Sequence, residues 1–228
     1  EISLGLVGSE MCIRDSGIFL DHHPWLHWTS QRDLKLLSDS RATVAHCPTV
    51  FSRRGIALNT FGSYLENGVR MSIGTDTYPH NMLDECRTAV MVARIIGQSV
   101  TELDCVDVFN AATVAGAHAL NRSDIGRIAV GCKADFSIIN LASPTMRPIR
   151  EPLRTLITVA GSRPVTDVFV HGKQVVSNGT VLNIDFELEL TRLQVAQQNM
   201  LNVVSKRDWD NRSGEVLAPL MLKTTESI

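Results

Sequence analysis

The sequence predicts an α/β fold, with buried strands covered by helices and then a β-rich region, and three observations predict it. Short apolar runs without polar alternation recur at Gly17 to Leu20, Ala42 to Pro48 and Val69 to Asp76, the pattern of strands buried on both faces. Helical stretches separate them, so the order reads β, α, β, α, β, and such alternation argues for parallel strands with helical crossovers. Beyond Asn121 the texture changes to short strand-like runs broken by Gly and Asn, which makes that part β-rich.

The elements follow in order. Residues 1–16 (EISLGLVGSEMCIRDS) keep neither helical nor strand period and run without a turn into GIFLDHH. They resemble translated adapter sequence and read as a non-native segment, outside the fold; a frayed native N-terminus is the plainer alternative. Residues 17–122 hold the three strands, a helix over Ser30 to Leu37, and one over Ala57 to Glu66 that stops at Asn67 and Gly68, a C-cap pair. Two further helices are predicted at Met82 to Ile96 and Thr101 to Ala119, the second opened by Thr101 with Asp104 as a capping-box variant. Residues 123–183 carry the runs ADFSIINL, TLITVAG, VTDVFVHG, KQVVSNG and TVLNI, and residues 184–228 a helix from Phe186 to about Val204 and a polar tail.

Composition narrows the partners. At 228 residues, 44% hydrophobic and 20% charged, the chain can bury a sizeable core. A net charge of −2 and a pI of about 6.4 give no broad field of either sign, so neither nucleic acid nor an anionic membrane is the expected partner, and a small molecule is. The five cysteines are scattered singly with no CxxC pair, unlike a disulfide framework, and a reducing cytoplasm is the expected setting. No apolar run reaches the length of about 18 residues that spans a bilayer, and no leader pattern opens the chain.

Chemistry concentrates at two strand ends. In SIGTDTYPHN an apolar strand delivers Asp76 at its C-terminal end and His80 four residues later. A carboxylate there can ligate a divalent metal and accept a proton from metal-bound water; capping the next helix is the plainer alternative. In AHCPT, His46 ends the preceding strand, so both side chains can converge on one mouth. Cys47 beside it reads as a small buried hydrophobe. His23 and His27 in DHHPWLHW have helical spacing, but Pro24 interrupts the helix a metal pair needs, and they are assigned surface or supporting roles. His118 and His171 share no motif with other polar groups and default to structural roles.

Taken in order, VAHCPT, SIGTDT, FNAATVAGAHALNRSDIGRIAVGCKADFSIINL and VTDVFVHGKQVV resemble the C-terminal half of the amidohydrolase superfamily, in the branch of chlorotriazine hydrolases, cytosine and guanine deaminases, and methylthioadenosine and S-adenosylhomocysteine deaminases. The resemblance covers about Gly17 to Leu182. It implies the C-terminal part of a (β/α)8 TIM barrel, strands six to eight with their helices, followed by a small β-sandwich portion. It also implies one divalent metal, zinc ahead of iron, at the barrel mouth. Asp76 matches the metal ligand that ends the eighth strand and takes the proton of the attacking water; His46 matches the end of the seventh strand, a catalytic position in contact with substrate. His80, Asn81 and Arg87 are the further candidate substrate contacts.

The sequence also departs from the family pattern. It has no HxH, no fifth-strand His with its following Glu, and Ser16 where the sixth-strand His should precede GIFLDHH. A single carboxylate does not hold zinc in a closed shell, so the expectation is a fragment that is inactive alone and marginally stable, with exposed strand edges. Its parent would hydrolyse a carbon–nitrogen or carbon–halogen bond of a small heterocycle, by deamination first, and is compatible with a homo-oligomer. Opening of an amide or carbamate ring is a neighbouring chemistry on the same fold. The competing class is a non-enzymatic α+β binding or scaffold protein in which Asp76 and His46 are structural.

Overall fold

The computed structural model describes residues 18–19, 30–58, 61–76, 78, 80–160 and 164–220. The first 17 residues and the cluster from Asp21 to Trp28, with His23 and His27, lie outside them, as does Ser16. The described chain divides into two compact units, residues 1–180 and 181–228.

In the first unit, β1 (Ile18–Phe19), β2 (Thr43–His46) and β3 (Arg70–Ile73) form a parallel sheet in the order β1-β2-β3. Thr43 aligns with Arg70 and His46 with Ile73, so β2 and β3 finish level with each other. Helix α1 (Gln31–Asp39) connects β1 to β2; Ser30 caps it by accepting the Asp33 N–H at 3.1 Å. Between β2 and β3 come α2 (Pro48–Ser52) and α3 (Phe61–Glu66). After β3 follow α4 (Met82–Gly97), α5 (Cys105–Ala112) and α6 (Val114–Ala119). Val44, Met71 and Ile73 of the sheet pack with Leu34 of α1, Phe61 and Tyr64 of α3, Ala89 and Val90 of α4 and Val108 of α5 in one buried cluster. Each large apolar side chain so buried contributes about 1.5–3 kcal/mol over its exposed state.

Four expected elements change. The strand expected through Pro48 ends at His46 because Pro48 is the first residue of α2, where its fixed φ suits a helix. The helix expected from Ala57 starts at Phe61. The helix expected over Thr101 to Ala119 begins at Cys105, capped by Asp104 through the Val106 N–H at 2.9 Å. It then breaks at Thr113, whose backbone leaves the helical region and whose hydroxyl turns back to the Phe109 carbonyl at 2.7 Å. TLITVAG, read as a strand, is largely helix α7 (Pro152–Thr158): Pro152 opens it, and Leu153 and Ile157, four apart, turn one face into the core.

The β-rich region is a sheet in the order β4 (Phe136–Ile139), β5 (Val165–Val170), β6 (Lys173–Ser177), β7 (Thr180–Val181). The β4–β5 and β5–β6 pairs are antiparallel, and Phe136 stacks on its register partner Phe169 at 4.6 Å. Two-residue turns join β5 to β6 at His171 and Gly172 and β6 to β7 at Asn178 and Gly179, all four with positive φ, the twist a tight hairpin demands. His171 is therefore a turn residue.

The second unit consists of α8 (Phe186–Arg207) and α9 (Gly214–Leu217). Asp185 caps α8 through the Leu188 N–H at 3.0 Å. At its far end Asp208 takes two hydrogen bonds from the Arg212 guanidinium, at 2.8 and 3.0 Å, which hold its carboxyl well below the usual range.

Candidate functional site

The parallel pair β2–β3 sets the site. Because the strands finish in register, the backbone continues the ladder one step beyond β3: the Gly74 N–H donates to the His46 carbonyl at 2.9 Å. A Cβ at Gly74 would meet Cys47 Sγ at 3.1 Å, so the absence of a side chain there lets the two strand-end turns lie against each other. Two residues on, Asp76 sits exposed with φ of +54°, a left-handed conformation that Asp tolerates better than most residues. The chain thus turns just beyond the strand end, with Asp76 two residues after the Gly74 N–H that bonds the His46 carbonyl.

His46 is 3% exposed. Its ring meets the Phe61 ring edge-on at 5.7 Å, and its Nδ1 has no hydrogen-bond partner. Burial removes the water that would stabilise the imidazolium and lowers its pKa from 6.5 to about 4. At neutral pH His46 is a neutral imidazole, able to give or take a hydrogen bond but carrying no charge.

The other candidates fall differently. Asn81 is the N-cap of α4, accepting the N–H groups of Leu83 at 3.2 Å and Asp84 at 3.4 Å; Asp76 is therefore not the cap of the following helix. His80 lies exposed just before that cap. Arg87 is turned away from the strand ends: its guanidinium donates to the Ile157 carbonyl at 3.2 Å, to the Ala160 carbonyl and to Asp84 at 2.8 Å. Those bonds close the C-terminal end of α7, a structural duty that takes three of its five N–H donors. His118 lies on α6.

Two residues that the sequence did not single out belong to this region. Arg53 donates to the Tyr78 carbonyl at 2.7 Å and stacks its guanidinium 5.0 Å from the Tyr78 ring centre, joining the segment after α2 to the segment after Asp76. Glu85 is buried on the apolar face of α4 beside Cys86, Ala89 and Val90. A carboxylate at that place in an otherwise apolar helical stripe was the signal that could have found it.

The donor set is thin. Among the described residues no group of three or more His, Cys, Asp and Glu side chains could hold a metal ion, so the side chains present do not by themselves fit a divalent cation. Asp76 can accept a proton or serve as one ligand; His46 can offer one neutral imidazole.

Comparison with known proteins places this arrangement. The sequence profile of the amidohydrolase family matches residues 3–175, a span that begins inside the stretch read as non-native. The chain is 32% identical over 164 residues to a 5-methylthioadenosine/S-adenosylhomocysteine deaminase of Pyrococcus abyssi, covering 70% of this chain and 38% of that protein. It is 26% identical over 162 residues to a 5'-deoxyadenosine deaminase of Methanopyrus kandleri, covering 69% and 38%. A zinc-bound adenosine deaminase from Xanthomonas campestris superposes with a TM-score of 0.74 at 27% identity, over 80% of this chain and 42% of that one. A zinc complex of atrazine chlorohydrolase from Arthrobacter aurescens shares the fold, with a TM-score of 0.69 at 22% identity over 78% of this chain and 40% of that one. The chain spans about two fifths of the length of the proteins it matches. With a family match over most of its length, the chain belongs to the amidohydrolase family.

Proposed function

We propose that this chain contributes the Asp76 and His46 side of a metal-dependent deaminase site, in a protein that releases ammonia from an adenosine-type heterocycle. The observation that carries the reading is the level finish of β2 and β3, which sets His46 and the Asp76 turn side by side. The activities of the matched deaminases support an adenine nucleoside as the substrate class. Zinc in the Xanthomonas enzyme favours zinc over iron as the single cofactor. The surrounding architecture in this proposal is the C-terminal part of a (β/α)8 barrel, with β1, β2 and β3 as its sixth to eighth strands and the β4–β7 sheet as part of a sandwich.

The chain's own chemistry is limited and specific. Asp76 accepts a proton from the attacking water at its carboxylate, and the same group would hold one position on a zinc ion, which would supply the activation of that water. His46, kept neutral by burial, orients the substrate by hydrogen bonding without drawing a counter-charge into the site. Asn81 and Arg87 act behind them, as helix cap and helix clasp, and His80 stands at the exposed edge of the Asp76 loop as a substrate contact. With Asp76 as the one site carboxylate among the described residues, the chain alone is expected to bind no stoichiometric zinc and not to turn over. The activity belongs to a protein of the relatives' length, in the cytoplasm.

The test is made in a protein that carries this chain together with a complete set of barrel strands. Stoichiometric zinc by elemental analysis and ammonia release from adenosine or 5'-methylthioadenosine are expected. Asp76→Ala is expected to lower kcat/KM by about a thousandfold or more, a loss of the size seen when a principal electrostatic group is removed from an active site. Full activity and full zinc content in Asp76→Ala would sink the assignment.

A further inference from the structure

Helix α2, which directly follows His46, begins without a cap of its own. Its N-cap residue is Cys47, whose side chain makes no capping hydrogen bond, and its first residue is Pro48, which has no N–H. Thr49 therefore carries the first backbone donor of the helix. That donor is met from 36 positions away: Glu85 Oε2 accepts the Thr49 N–H at 2.9 Å. The hydroxyls of Thr49 and Thr88 meet at 3.4 Å and add a second tie between α2 and α4.

Glu85 occupies an expensive place for this purpose. It is 1% exposed, and burial pushes its pKa up while the Thr49 donors pull the other way. Helix α4 follows the Asp76 loop, and α2 follows His46 within two residues. One carboxylate thus ties the helix behind Asp76 to the turn behind His46.

We propose that Glu85 is a positioning residue: by capping α2 from α4 it fixes the His46 turn, and with it the imidazole, against the Asp76 loop. The functional part of this assignment rests on the proposed role of His46 and Asp76 in one site.

The experiment uses the whole 228-residue chain and two substitutions, Glu85→Leu, which removes the acceptor, and Glu85→Gln, which keeps one. Amide hydrogen exchange read by NMR is expected to be at least about tenfold faster at Thr49 in E85L, the size of a lost hydrogen bond to a charged group, and within about threefold of the parent in E85Q. The His46 ring signals, displaced by the edge-on Phe61 ring, are expected to move toward unshifted histidine positions in E85L and to stay in E85Q. Val108→Ala, a core substitution on α5, is the control that lowers stability without moving those signals.

Unchanged Thr49 exchange and unchanged His46 signals in E85L overturn the proposal, as does an equal displacement in V108A. Should E85L not fold, Glu85→Asp keeps the charge but shortens the reach, and is held to the same two readouts. Neither readout involves metal or turnover, so an active Asp76→Ala enzyme would remove the proposed reaction while leaving this result to stand or fall separately.

Discussion

Acid should weaken this fold through His46, and the size of the effect can be worked from its surroundings. Its ring is buried against Phe61 with Nδ1 unpartnered, and burial lowers its pKa from 6.5 to about 4. Between those values the unfolded chain takes up a proton that the folded chain refuses. The corresponding stability is complete above the unfolded value and is lost as pH falls through about 4. At about 1.4 kcal/mol per pKa unit, the loss between pH 7 and pH 4 is about 3 kcal/mol. Urea unfolding of the parent and of His46→Leu at both pH values measures it. The parent should lose about 3 kcal/mol more than H46L. Glu85, whose raised pKa gives an effect of the opposite sign, is common to both proteins and cancels. At pH 7, H46L should be no less stable than the parent, because the substitution removes a buried nitrogen without a partner. Equal losses in the two proteins, within about 0.5 kcal/mol, would refute the argument that the ring is dry and neutral.

Two further outcomes concern parts of the structure away from His46. Arg87→Met should destabilise the chain by about 1.5–3 kcal/mol, because it strands the Ile157 and Ala160 carbonyls at the end of α7. Arg87→Lys should rescue little of that, since an ammonium cannot spread donors as a guanidinium does; chemical denaturation decides, and full rescue by Lys would count against the clasp. Gly126→Ala should cost about 2 kcal/mol or more, since φ is +82° there and a Cβ would stand 2.8 Å from Ala117 Cβ and 2.9 Å from the Thr113 carbonyl. A thermal melt that matches the parent would show that this turn can yield.

What the sequence determined by itself is the alternation of strands and helices, the position of His46 at a strand end, though the strand expected to run on to Asp76 stops at Ile73, and, through VAHCPT and SIGTDT, the family. These are readable because burial on both faces leaves an uninterrupted apolar run, and because a polar residue that ends such a run has few other places to go. The error at TLITVAG has the opposite cause: Thr, Ile and Val suit a strand in isolation, and the helix exists because Ile157 reaches the core and Arg87 closes its end. Arg87 and Asn81 were legible as polar groups near the site, but not as clasp and cap, because those duties depend on which carbonyls and N–H groups the tertiary structure leaves without partners. Glu85 was least legible of all. Its partner lies 36 residues upstream, and only packing α4 against α2 brings a buried carboxylate to a helix end that has no cap of its own.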